Sequence, residues 1–109
     1  MAGAPYSSVQ FAVINLAAAT GTLVAAQAAG VTIRVVSLFV VNTTAQNITF
    51  KSGAGGTALT GAMALGANAI LVLPFNPQGY FETAAATLLE LALSGGTQVS
   101  GALQWVGVG

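Results

Sequence analysis

Glu82 and Glu90 are the only acidic side chains of this chain, and Arg34 and Lys51 are the only basic ones. A pair of carboxylates is the minimum equipment for glycoside hydrolysis, one giving a proton and the other acting as base or nucleophile. Nothing in the spacing of Glu82 and Glu90 brings them together. The plainer expectation is a solvated Glu82 near a turn and a Glu90 on the outer face of a strand. Lys51 is a candidate lone nucleophile, but it reads better as a strand-edge charge that blocks sheet-to-sheet pairing. There is no His, Cys or Asp. Ser–His–Asp and Cys–His catalysis are therefore out of reach, a zinc site lacks its usual ligands, and no disulfide framework can form. The expectation is a protein that is not an enzyme and that uses no cofactor and no metal.

Arg34 is the most informative of the four charges. It sits in the middle of an apolar run, where a charge needs a partner. Glu82 or Glu90 can supply it, within the subunit or across an interface. The alternative is a rim position with the aliphatic stem lying on apolar surface. Ser52-Gly53-Ala54-Gly55-Gly56-Thr57 invites a phosphate-loop reading, but it lacks the Gly-Lys-Ser/Thr ending and no helix follows. It reads as a hairpin loop. Asn42-Thr43-Thr44 and Asn47-Ile48-Thr49 match glycosylation sequons and are expected to be polar residues of a turn and a strand. Trp105, Tyr80, Phe81 and Phe75 suggest either a stacking platform or, by the usual use of such residues, core and subunit contacts.

The elements that must hold these residues are strands. Short apolar, β-branched runs alternate with Gly, Asn, Thr and Pro clusters, the spacing of a sandwich or barrel. Val9 to Asn15 is a first strand with Val9, Phe11 and Val13 on one face, and Thr22 to Gln27 is a weaker second. Val31 to Asn42 is the strongest. Strict alternation puts Ile33, Val35, Ser37, Phe39 and Val41 on one face and Thr32, Arg34, Val36, Leu38 and Val40 on the other. Both faces are largely apolar, so the strand is expected to be covered on both sides, the second cover being a neighbouring subunit. Thr43 to Gln46 is a turn, and Asn47 to Lys51 a strand with Ile48 and Phe50 inward. Thr57 to Leu65 holds one or two short strands. Asn68 to Leu73 is a buried strand ended by Pro74. Phe75 to Gly79 is turn chemistry, with Pro presetting φ and Gly taking the positive-φ position. Leu89, Leu91 and Leu93 share a face opposite Glu90. Ser94 to Thr97 is a hairpin-like loop, and Val99 to Val108 closes the fold. Gly56 to Met63 and Gly96 to Leu103 echo each other, which a Gly/Ala/Thr-rich composition readily produces, a duplicated half-sandwich being the alternative. The fold expected is all-β, a single β-sandwich of jelly-roll or Ig-like type with about eight strands. Residues 1–30 are expected to form an N-terminal arm or edge-strand segment and residues 31–109 the sandwich core, within one domain overall.

Charged residues are 4% of the chain, against about 25% in an average soluble domain. The net charge is zero. No basic stripe exists to displace counterions from nucleic acid, and no polybasic segment to hold an anionic membrane. No apolar run approaches the ~20 residues of a membrane-spanning helix. Ala26-Gln27-Ala28 resembles a signal-peptidase site, but no positive n-region precedes it, so a signal is not the expectation. So few charges cannot dress the surface of a free monomer, and zero net charge offers no colloidal repulsion. Both facts point to a subunit of an assembly.

The order of short motifs is similar to that of small virion proteins of tailed bacteriophages. The residues concerned are Arg34-Val35-Val36-Ser37-Leu38, Ile48-Thr49-Phe50-Lys51-Ser52-Gly53, Thr57-Ala58-Leu59-Thr60-Gly61, Leu73-Pro74 through Glu82-Thr83, and Leu88-Leu89-Glu90-Leu91. The resemblance implies a β-sandwich with a structural role, most simply a capsid decoration or cement subunit that stabilises the head through apolar and hydrogen-bonded contacts. A tail-tube, coat or filament subunit is the variant within that class, and a carbohydrate- or surface-binding module the alternative outside it. The partners implied are further copies of the chain, a trimer among the options, and the major capsid protein or other virion proteins, with no nucleic acid and no membrane. The place implied is the virion, after synthesis in the host cytoplasm. Arg34, Val36, Leu38, Val40, Tyr80, Phe81 and Trp105 are the candidate interface.

Overall fold

In a computed structural model, residues 9–17 and 19–109 are described. Ten strands follow one another: β1 (Val9–Leu16), β2 (Gly21–Val24), β3 (Thr32–Asn42), β4 (Gln46–Ser52), β5 (Thr57–Ala58), β6 (Met63–Leu65), β7 (Ile70–Leu73), β8 (Phe81–Glu82), β9 (Leu89–Leu93) and β10 (Val99–Val108). They form two sheets. The first runs β1-β10-β3-β7, with β8 also on β3, and the second runs β2-β9-β4-β5, with β6 also on β4.

All pairs are antiparallel, and the pairing has a simple logic. First pairs with last, second with next to last, and so on inward to the β4–β5 hairpin. The chain is one long ribbon doubled back on itself and rolled until β10 meets β3 and β9 meets β4. β7 with β8 fills one lane beside β3, and β5 with β6 fills one lane beside β4. Ten segments thus occupy eight lanes in jelly-roll order. An Ig-type order pairs its first two strands in one sheet, whereas here β1 and β2 lie in different sheets.

Strand positions follow the apolar runs, but one connection differs from expectation. Ser94 to Thr97 carries the chain from β9 in one sheet to β10 in the other, so it is a crossover and not a hairpin. Of the two forms expected for residues 1–30, an arm or an edge-strand segment, residues 9–24 take the second: β1 and β2 are edge strands of the two sheets. The part of the expected arm before Val9 lies outside the described residues.

The core lies between the sheets. Ile14, Ile33, Val35, Leu38, Val40, Val99, Leu103 and Trp105 come from the first sheet, and Ile48, Phe50, Leu89 and Leu91 from the second. Phe50 and Phe81 meet across the layers with ring centroids 4.8 Å apart. Ile48 and Phe50 point inward and are fully buried, as their alternation predicts.

β3 does not alternate strictly. Its register against β10 slips between Gln104 and Trp105, which face Ser37 and Val35. Val36 is the extra residue of this β-bulge. It is buried, yet it stands outside the core cluster. Beyond it the phase is inverted, so Leu38, Val40 and Asn42 point inward and Phe39 outward.

One end of the sandwich is closed by amides. The Asn42 side chain is fully buried. Its Nδ2 donates to the carbonyls of Thr44, Leu65 and Gly66 at 2.8, 3.2 and 2.9 Å, and its Oδ1 accepts from Gln46 Nε2 at 2.8 Å. Gln46 in turn accepts the Gly95 N–H at 3.1 Å. The buried Asn42 amide is thus a structural tie and not a glycosylation acceptor.

Gly101 sits mid-strand in β10 opposite Val40, with φ near +154°. A Cβ there would lie 1.9 Å from the Phe39 carbonyl oxygen, and main chain in a central pair cannot move aside. Gly101→Ala should therefore destabilise the fold by several kcal/mol, about the range of severe core substitutions. Equilibrium denaturation against wild type measures this; a change under about 0.5 kcal/mol, the scale of a neutral surface substitution, contradicts the close approach.

Candidate functional site

The four charges are placed as follows. Arg34 on β3 lies opposite Glu82 on β8. Arg34 Nε donates to Glu82 Oε1 at 2.8 Å, and each side chain is about one-third exposed, 33% and 34%. The Thr32 hydroxyl donates to the other carboxylate oxygen. The Arg34 stem rests on the turn ending at Gly79, where a Cβ would come within 2.4 Å of Arg34 Cγ and φ is +82°. The Gly79 N–H donates to Asn76 O at 2.8 Å, and the Gln78 N–H to Asn76 Oδ1 at 3.0 Å, closing the expected Asn-Pro-Gln-Gly turn. Both expectations for Arg34 hold in part: it has a partner within the subunit, and it sits at a rim.

Glu90 lies in the other sheet, buried under the glycine-rich loop, where its Oε1 accepts the Gly55 N–H at 3.0 Å. The loop's anion is thus the protein's own carboxylate. Glu82 and Glu90 belong to different sheets and hold different partners, so they do not form a catalytic pair. Lys51 is on β4 between β9 and β5, facing Glu90 in register. It is on an interior strand, not on an edge as its charge suggested. No group of three or more potential metal ligands occurs among the described residues.

The candidate interface residues separate sharply. Val36, Leu38, Val40 and Trp105 are at most 5% exposed and lie inside the subunit. Strict alternation misplaced Leu38 and Val40 because it did not include the bulge at Val36. Trp105 falls on the inward parity of β10 and packs with the core, so it offers no stacking platform. Phe81 is half-buried against Phe50. Tyr80 remains at the surface, its hydroxyl donating to the Pro74 carbonyl.

The apolar residues that do reach the surface are others: Phe11, Val13, Phe39, Ile70, Val72 and Phe75. All but Phe75 are on strands of the first sheet, and the register arranges them in rows across its outer face. Val13, Ala102, Phe39 and Val72 form one row. Asn15, Ser100, Val41 and Ile70 form the next. Phe11, Gln104 and Ser37 form a third, in which the Ser37 hydroxyl donates to Gln104 Oε1 at 2.6 Å. Phe11 stands between two shallow hollows, one floored by Ala102 and Gln104 beside Phe39 and Val72, the other opening toward Phe75. None of these rows contains a charge.

Three rows on four lanes, at the usual strand and residue spacings, project to about 400 Å². Asn15, Ser100, Ser37 and Gln104 supply the polar groups within this outline, and the remaining side chains are apolar. Asn68 to Leu73 was expected to be a buried strand; instead β7 is an outer lane whose Ile70 and Val72 face out at 66% and 59% exposure. The alternation of Val9, Phe11 and Val13 was legible in the sequence. That their shared face is the outer one was not, because Ala12, Ile14 and Leu16 on the other parity are apolar too.

The fold and this face together define the class of the protein: a jelly-roll sandwich whose first sheet has a largely apolar outer face, with the Arg34–Glu82 pair in the row of Val9 and Val106 at one end of it. Comparison with protein-family models, with curated proteins and with solved structures finds no match.

The Glu82 carboxyl is held below the ordinary glutamate value by the Thr32 hydrogen bond first, then by the hydrogen bond and charge of Arg34, with burial opposing. A lowered folded value means that the stabilisation is complete above the ordinary glutamate range. It is lost as pH falls through the folded value. Glu82→Gln should therefore lower stability at neutral pH by less than about 1 kcal/mol, as for other exposed pairs, and flatten the acid limb so that variant and wild type converge at low pH. Arg34→Ala should cost less than about 1 kcal/mol, as for other exposed pairs. Thermal melts from pH 7 down to 3 measure both; a loss of several kcal/mol for Arg34→Ala at pH 7 contradicts the rim placement.

Proposed function

We propose that the protein is a non-enzymatic virion subunit of a tailed bacteriophage, a decoration or cement protein that docks on the capsid through the outer face of its first sheet. The observation that carries this reading is the uncharged apolar face around Val13, Phe39 and Val72, whose exposed side chains stand on rigid strands. The resemblance of the chain's motifs to small virion proteins supplies the particular setting, the phage head. The partner is the major capsid protein or a neighbouring virion protein, and no nucleic acid or membrane is engaged.

The mechanism is linkage. A protein that binds only the intact shell stabilises that shell by mass action. Apolar burial and hydrogen bonding to Ser37, Gln104, Asn15 and Ser100 do the holding, since charges are absent from the rows. Jelly-roll order also recurs in capsid domains, which favours one second reading: a coat subunit that builds the shell itself. Closed particles assembled from this protein alone would establish that reading in place of the first.

Attachment without ion pairs should respond weakly to ionic strength, unlike a contact made of exposed charges. Occupancy on particles should stay constant from low to high salt, and coated particles should melt at higher temperature than bare ones. Release in moderate salt, or equal melting of bare and coated particles, contradicts the cement mechanism.

A further inference from the structure

The four edges of the two sheets are unequal. The lane of β7 and β8 is two short pieces with Pro74 and Pro77 between them. β2 is four residues long with a register shift at Leu23. The lane of β5 and β6 is broken into two and three residues. Short strands, prolines and bulges are the devices that protect an edge from pairing. β1 has none of them. It is eight residues, Val-Gln-Phe-Ala-Val-Ile-Asn-Leu, in unbroken register with β10 and without charge or proline. Its other side meets no strand among the described residues.

We propose that β1 is a self-association edge: two copies pair β1 to β1, antiparallel about a two-fold axis, and fuse their first sheets into one sheet of eight lanes. The occupant is a second copy because isologous pairing sets the strand against an identical strand, so any charge on it would meet the same charge nearby. Like charges opposed across strands would forbid that, and β1 carries none. The axis stands normal to the sheet, so outward residues face outward residues. It therefore passes through a residue at mid-strand, Ala12 or Val13, and not between two. With the axis at Ala12, Phe11 faces the partner's Val13.

The fused sheet carries both apolar faces on the same side. One face of about 400 Å² is half of the ~800 Å² that each partner gives to a standard interface; two together reach it. Pairing also stops at two, because the three remaining edges are protected and an isologous contact closes on itself. This deepens the proposed function by naming the partner of one edge, and rests on that reading only for the use to which the doubled face is put.

Sedimentation of the intact protein tests the pairing. Wild type should run at twice the 10.7 kDa chain mass. Val13 is 76% exposed, so a charge there leaves the core untouched. Val13→Lys and Val13→Glu should each be monomeric, and an equimolar mixture of the two should recover the dimer, which unfolded chains cannot do. Val72→Lys, at the far side of the same face, should remain dimeric. Amide exchange on wild type is the second measurement: in the dimer every β1 N–H is slowed, whereas in a monomer alternate ones exchange freely. A monomeric wild type, Val13 variants that still dimerise, or a dimer lost on Val72→Lys overturns the pairing. Particle occupancy is scored separately, where Val72→Lys should weaken docking with the dimer intact, so failure of docking and failure of pairing are distinguishable.

Discussion

One inserted residue, Val36, decides what this protein keeps inside and what it shows. A β-bulge adds a residue to one strand while its partner runs on, and every side chain beyond it changes face. Before the bulge Ile33 and Val35 fill the core; after it Leu38 and Val40 do, and Phe39 is turned out into the row of Val13 and Val72. Were Val36 drawn into a regular ladder with every residue kept, Phe39 and Val41 would be driven into the core and Leu38 and Val40 out to the surface. The bulge also frees main-chain acceptors. Val36 O takes the Asn76 N–H at 2.8 Å, and Val35 O takes the Tyr80 N–H at 2.9 Å. Those two bonds fasten the proline-rich turn beside Arg34, so the short lane of β7 and β8 and the Arg34–Glu82 contact follow from the same irregularity.

The second organising fact is how little charge the fold uses. Where other domains close their loops with ion pairs, this one uses neutral groups in dense arrays. Asn42 and Gln46 gather carbonyls and an amide from three connections at one end. The one deeply placed charge, Glu90, is met by a main-chain N–H of the glycine-rich loop. A buried carboxylate needs a partner of this kind, and glycine lets the backbone come near enough to be one.

Element positions were largely legible in the sequence. Val99–Val108 was bounded as expected, and the runs around β1, β3, β4 and β9 were found within a residue or two, because turn residues punctuate them. The inward pair Ile48 and Phe50, and the alternation of Leu89 and Leu91 against Glu90, were clear because a polar residue marks the opposite face. Where both parities are apolar that marker is missing. In Ile70-Leu71-Val72-Leu73 nothing distinguishes the outer Ile70 and Val72 from the inner Leu71 and Leu73. A bulge leaves no trace in composition, so the inversion after Val36 was hidden, and with it the place of Leu38 and Val40. Lane assignment was hidden for another reason: it depends on pairing between residues far apart, such as Val9 with Val106.

That last pairing bears on how the molecule is born. β10 is the strand between β1 and β3, and the ribosome makes it long after both. Until it emerges, the first sheet lacks its inner lane, and loops spanning nearly the whole chain must close to complete it. Such non-local topologies fold slowly, and incomplete ones expose strand edges and apolar surface. A nascent chain ending anywhere before Val99 holds β1 and β3 with nothing between them. The order of synthesis therefore delays the appearance of a finished apolar face until β10 has emerged.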